Sequence, residues 1–374
     1  MLRLVWSQLP LKSTTDIAVD ALRRSSNSAA VVGKQLFIFG GERVPRVPVD
    51  NELWVVGLDD GAVTPAPTSS LRPSARVGAS LSYHPGMSAL YLWGGRESRD
   101  MTPCDTVLWK YSLSSGKWEQ SATADKENVA QEDKVAPRSY HAMCTVGNDL
   151  YLHAGCPAEG RLATLHSLSL ASAQTWSTLP GGPGPGRGGT VLTPIIAPGG
   201  DPLLVRYGGF AGHELGGRLD VFNPARGTWS SVAMPGEEGR AGHPLARSVH
   251  ALVPVRPPVA LPASAGHDHG HVVAVLLFGE RGPAPAHLGH LGAGTFHRDA
   301  WALVCTPAEA GEHFAFVELV QEESMKGGGT PPARGWFAAD WMLDGGGAVV
   351  VHGGLDDENN RLGDVWLGKL EIRE

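Results

Sequence analysis

The chain has 374 residues, a formal net charge of −7, only 18% charged residues, and 49 glycines with 28 prolines. This acidic balance excludes a general nucleic-acid binder, which needs a net basic surface, and the turn formers favour many short strands over helices. No apolar run reaches the length of a membrane span. The four cysteines, Cys104, Cys144, Cys156 and Cys305, have no metal-type or redox-type spacing, so they are expected to be reduced core thiols of a cytoplasmic protein.

In chain order, residues 2–9 read as a strand through Leu4-Val5-Trp6, and Met1 to Trp6 turns polar too soon for a secretory segment. Residues 22–64 then set a pattern. Arg24 is followed by an apolar strand at Ser28–Val32, a second at Gln35–Phe39 that ends in Gly40-Gly41, and a third around Leu53-Trp54-Val55. Residues 73–120 repeat it with Arg76, Leu90–Trp93, Gly94-Gly95, Leu108-Trp109 and a fourth strand at Lys117-Trp118. Residues 136–179 do so with Arg138, Leu150–His153, Ala154-Gly155 and Thr175-Trp176. In 186–232 the markers are Arg187, Leu203–Tyr207, Gly208-Gly209 and Thr228-Trp229. In 246–320 they are Arg247, Val273–Phe278, Gly279, Ala300-Trp301 and Phe314–Val317. In 333–370 they are Arg334, Ala348–Val351, Gly353-Gly354 and Val365-Trp366.

Six units of this order resemble the kelch repeat, one four-stranded propeller blade per copy. The expected fold is all-β, a single six-bladed propeller over residues 1–374. The last unit runs out of chain after its third strand, so strand 2–9 is expected to complete that blade and close the ring. The tract His267-Asp268-His269-Gly270-His271 interrupts blade five and is read as a solvated insertion with no assigned role.

Equivalent arginines in six blades have two readings. Each can pin a neighbouring blade through backbone carbonyls, or the guanidinium forks can converge on the channel mouth and bind a sulfate, phosphate or carboxylate. On the second reading Arg24, Arg187, Arg247 and Arg334 form an anion site, reinforced by Arg96 and Arg99 after the second glycine pair. Blade five departs from the repeat: Glu280, His287 and His290 fall in one short loop, and two imidazoles with one carboxylate are a ligand set for non-haem Fe(II). Histidines facing water are the alternative for the same loop.

The stretch from Phe39-Gly40-Gly41 through Pro48-Val49-Asp50-Asn51, together with Pro137-Arg138-Ser139-Tyr140-His141, His290-Leu291-Gly292-Ala293-Gly294 and Arg334-Gly335-Trp336, resembles the specifier proteins of glucosinolate breakdown. These are the nitrile-specifier, epithiospecifier and thiocyanate-forming proteins, and the similarity covers essentially the whole chain. The resemblance implies an Fe(II)-dependent lyase acting on a sulfated thiohydroximate, or a similar small anionic substrate, to give nitrile-type products. It implies that Arg76, Arg138 and Trp336 hold the sulfate and side chain. Glu280 matches the family's glutamate ligand and His290 its histidine. The family's aspartate has no counterpart, since Ala284 and Ala286 stand nearest its place, and His287 is the substitute ligand. The competing expectation is a non-catalytic kelch module that binds a protein partner, because a propeller alone does not fix a function.

Overall fold

The computed structural model describes residues 1–13, 16–100, 102–123, 135–171, 175–234, 242–262, 270–308, 311–325 and 327–373. Most of the histidine-rich tract in blade five lies outside them. Six antiparallel sheets are arranged as the blades of a propeller. Blade one is Ser28–Val32, Gln35–Phe39, Leu53–Gly57 and Val63–Pro65, each strand paired with the next. Blades two to five repeat this order. Their second strands carry the continuous apolar runs, such as Ala89–Trp93, which is buried throughout because both of its faces meet a neighbouring sheet.

Blade six closes the ring as expected. Its strands Ala338–Met342, Ala348–Leu355 and Arg361–Ile372 are followed by the N-terminal strand Leu2–Gln8, antiparallel in a register from Leu2↔Ile372 to Gln8↔Trp366. The short strand Val320–Glu323 adds a fifth member, parallel to Leu2–Gln8, that the repeat does not foreshadow. Leu4 and Trp6 from this strand are fully buried, and Trp6 stacks on Phe278 of blade five at 6.3 Å. Among the described residues no helix is long and apolar enough to cross a membrane.

Two backbone belts join the blades around the axis. The residue two places after each signature arginine donates its N–H to the equivalent carbonyl of the preceding blade. The sequence Ser26, Gly78, Tyr140, Gly189, Val249, Trp336 and back to Ser26 thereby forms a closed loop of six hydrogen bonds of 2.7–3.0 Å. All six residues have positive φ. An L side chain costs about 1–2 kcal/mol there, and at Tyr140, Val249 and Trp336 the loop holds a bulky residue in that conformation.

In the second belt the N–H of the second glycine of each pair bonds the carbonyl of the next blade's arginine, from Gly41 to Arg76 around to Gly354 to Arg24, at 2.8–3.0 Å. Glycine is needed for contact as well as for φ. A Cβ on Gly41 would lie 2.7 Å from the Ser25 carbonyl oxygen.

Candidate functional site

The signature arginines are buried in the walls of the ring. Arg24, Arg76, Arg247 and Arg334 are fully inaccessible, Arg138 is nearly so, and Arg187 is 7% exposed. Each donates from Nη1 to the carbonyl just before the second glycine, that of Gly40, Gly94, Ala154, Gly208, Phe278 or Gly353, at 2.8–3.1 Å. Each Nε donates to a carbonyl two or three residues upstream. Three also grip an aspartate with both Nη atoms: Asp50, Asp299 and Asp364, which in turn accept from the indoles of Trp54, Trp301 and Trp366.

This corrects the expectation that Arg24, Arg76, Arg138, Arg187, Arg247 and Arg334 present their guanidinium groups at the channel mouth. Their donors are spent on backbone carbonyls, carboxylates and, for Arg76 and Arg138, the hydroxyls of Ser74 and Thr164, and none lines the axial cavity. Burial, with no carboxylate in contact, pulls Arg138 down to about 10. Arg99 is exposed and is likewise absent from the cavity wall.

The cavity sits at one end of the axis and measures 340 Å³. Its wall is built by the residue immediately after each glycine pair: Glu42, Arg96, Cys156, Phe210, Glu280 and Leu355. All six pair with the residue that follows the blade's arginine, as Ser248 does with Glu280 and Val77 with Arg96. The belts therefore deliver one variable side chain per blade to the axis. Cys156 thus lines the cavity, whereas Cys104, Cys144 and Cys305 are buried core thiols as expected.

Tyr140 and Trp336, from blades three and six on opposite sides of the ring, meet at the base of this chamber. With Gly189 and Val249 they border both the cavity and a smaller void of 120 Å³ deeper along the axis.

Charge is divided around the wall. Arg96 lies 4.6 Å over the Tyr140 ring and also donates to the Tyr140 hydroxyl. Arg161 lies 4.7 Å over Phe210. Arg46 and Arg361 complete the cationic side. The acidic groups are Glu280 of blade five, Glu214 of blade four, and Glu42 of blade one, whose carboxylate accepts from the Ser26 hydroxyl and the Arg46 backbone N–H. Burial lifts the Glu214 carboxyl to about 7. Burial, reinforced by the Glu214 charge and only partly offset by a hydrogen bond from Trp336, lifts Glu280 to about 8. Gly294 in the blade-five loop makes room for that carboxylate, since a Cβ there would stand 2.2 Å from Glu280 Oε1.

Of the three metal candidates, Glu280 faces the cavity. His287 is exposed on the loop and does not line it, and the His290 side chain lies outside the described residues. Among the described residues no group of three or more His, Cys, Asp or Glu could hold a metal ion. Trp336 and Arg96 line the cavity. Glu42, Arg46, Cys156, Arg161, Phe210, Glu214 and Arg361 were not selected. Four of these lie just after a glycine pair or beside such a residue in its hairpin or loop; Arg161, Glu214 and Arg361 share a second position, one before the residue that bonds or pairs with the blade's second glycine: Leu162 with Gly155, Leu215 with Gly209 and Leu362 with Gly354.

The KLHDC2/KLHL20/DRC7 Kelch-repeats domain matches residues 26–259. The chain is 26% identical over 371 positions to N-(sulfonatooxy)prop-2-enimidothioate sulfolyase of Thlaspi arvense, covering 92% of each. It is 30% identical over 141 positions to Adagio-like protein 3 of Oryza sativa subsp. japonica, 37% of this chain and 21% of that protein. It is 24% identical over 207 positions to acyl-CoA-binding domain-containing protein 5 of Arabidopsis thaliana, 54% of this chain and 30% of that protein.

Proposed function

The chain belongs to the kelch-repeat family, and from that premise we propose that its axial cavity is the active site of a specifier-like lyase for a small sulfated substrate. The observation that carries this reading is the pair Arg96 and Arg161, two guanidinium groups on one cavity wall, each braced on an aromatic ring. A relative matched along nearly its full length is named as a sulfolyase, which supports a sulfated substrate for this reading.

The chemistry asked of the residues is simple. Arg96 and Arg161 hold the sulfate oxygens through paired N–H donors and stabilise the charge that grows on the departing sulfate. Stacking on Tyr140 and Phe210 fixes the guanidinium planes, so little reorganisation is needed as that charge develops. Trp336, Phe210 and Val249 offer an apolar surface for the substrate side chain and exclude water. Positioning the thiohydroximate against this wall favours fragmentation to a nitrile over rearrangement.

Among the described residues Glu280 and Glu214 are the half-buried carboxylates that would hold a divalent cation such as Fe(II), which would supply a ligation position for the substrate sulfur. We also assign the protein to a reducing compartment such as the cytoplasm, consistent with its four free cysteines.

The test is product analysis with a thioglucosidase, a glucosinolate and Fe(II). The protein raises the nitrile fraction, and Arg96→Ala or Arg161→Ala returns it towards the isothiocyanate. A product ratio identical to that of the thioglucosidase alone refutes the lyase and leaves a kelch interaction module.

A further inference from the structure

The position that carries Arg161 in blade three carries Arg361 in blade six: each stands one before the residue that meets the blade's second glycine, Leu162 with Gly155 and Leu362 with Gly354. Blades three and six are opposite members of a six-bladed ring, so the two arginines line the axial cavity from opposite walls. Arg361 donates from Nη1 to the carbonyl and side-chain oxygens of Asn359 at 3.2 and 2.9 Å. Its Nε is buried and has no hydrogen-bond partner among the described residues. Burial lowers the pKa of this guanidinium, and the charges of Glu42 and Asp356 offset only part of that. A buried charged donor with nothing to bind is costly, and an anion answers it. Arg46 lines the cavity from the neighbouring blade one, on a hairpin where Glu42 accepts its backbone N–H. Its guanidinium makes no hydrogen bond or ion pair among the described residues.

We infer that Arg46 and Arg361 form a second anion subsite, and that the ligand of this cavity is a small sulfate ester whose side chain ends in a carboxylate. Charge selects the carboxylate. Arg46 and Arg361 are two cations and Glu42 is one anion, so a single negative charge completes the group. A doubly charged oxyanion there would be set against Glu42. The planar carboxylate also matches a guanidinium fork. At the base of the chamber, Trp336 and Val249 take the methylenes between the two ends. A side chain ending in a methyl group would leave the Arg361 Nε desolvated and unpaired, and that penalty is what discriminates against it. The inference deepens the proposed function and rests on it for the sulfate end alone.

The probes are sulfoacetate and its three- and four-carbon homologues, with the sulfonate standing in for the sulfate ester. Each is compared with the alkanesulfonate of equal chain length by calorimetric titration of the full-length protein in metal-free buffer at fixed ionic strength. The carboxylate of the best-fitting chain tightens binding about tenfold or more. Arg46→Gln and Arg361→Gln each lose most of that gain and bind the alkanesulfonate as the wild type does, which also shows that they are folded. A crystal of the wild-type complex places the carboxylate within hydrogen-bonding distance of Arg361. No gain at any chain length, a gain that persists in both variants, or a carboxylate bound elsewhere overturns the inference. Alkanesulfonate binding reports on Arg96 and Arg161 alone, so failure of the second subsite is distinguished from failure of the lyase reading. A cavity that binds neither series overturns both.

Discussion

The rings of Tyr140 and Trp336 meet edge to face across the propeller axis, with centroids 5.2 Å apart and planes at 78°. Each belongs to the backbone belt at positive φ, so the conformation that closes the ring also aims a large side chain at the axis. Gly78, which precedes Tyr140 in the belt, yields the space: a Cβ there would meet the Tyr140 ring at 2.8 Å. Small and large residues around the belt thus separate the cavity from the rest of the channel. Trp336→Ala is expected to join the two chambers and to weaken anion binding by loosening Tyr140 under Arg96. Xenon binding in crystals and sulfate titration read the two effects.

Gly189→Ala is expected to destabilise the protein by about 1–2 kcal/mol. The residue has φ +59°, and the added methyl would stand 2.7 Å from Val249 Cγ1. Urea denaturation measures the loss.

The signature arginines and the cavity arginines are expected to separate by assay. Arg247→Ala takes both guanidinium donors from Asp299, leaving it the Trp301 indole, and strips the Phe278 carbonyl of its guanidinium donor, and is expected to cost about 3 kcal/mol. Arg247→Lys recovers only part of this, because an ammonium cannot make the same fork. Arg96→Ala and Arg161→Ala retain most of the stability and lose sulfate affinity. Thermal melts and calorimetric titration on one set of variants check both halves.

Acid sensitivity follows from the arginine–aspartate pairs. Burial pushes the Asp299 and Asp364 carboxyls up, but hydrogen bonds and charge from Arg247 and Arg334, with the indoles of Trp301 and Trp366, outweigh it and hold both below the ordinary 3.8. A depressed carboxyl stabilises the fold above its unfolded value and loses that contribution as pH falls through its folded value. Melting temperature is therefore expected to drop as pH falls below about 4. Asp299→Asn and Asp364→Asn should make that acid limb shallower.

Ring closure gives a further test. Trp6 is fully buried against Phe278, and its strand supplies the fourth strand of the last blade. Trp6→Ala is expected to cost about 3–5 kcal/mol, with a lower urea midpoint as the readout.

The ring was legible because its determinants recur. An arginine, a glycine closing the second strand and a Trp-bearing strand appear in every blade, and a feature present six times reports on what all blades share. For the same reason the arginines were poor guides to a site: a residue needed in each blade is a blade fastener. Ala154 and Phe278 illustrate the tolerance of that pattern, since both take positive φ where the other blades have glycine. The site lies where blades differ, at the residue after each glycine pair. Glu280 and Arg96 stood out there by charge, whereas Phe210, Leu355 and Cys156 resembled ordinary core residues. Glu214 had no signal, because the position it occupies, one before the residue that bonds the blade's second glycine, falls at a different distance from that glycine from blade to blade, as Val49 to Gly41, Leu162 to Gly155, Leu215 to Gly209 and His297 to Gly279 show.

The most direct measurement is a crystal of the wild-type protein soaked in selenate, a sulfate analogue with an anomalous signal. The account predicts a single strong peak in the axial cavity, within hydrogen-bonding distance of Arg96 and Arg161. A cavity with no peak, or an anion bound only on the outer surface, would contradict it.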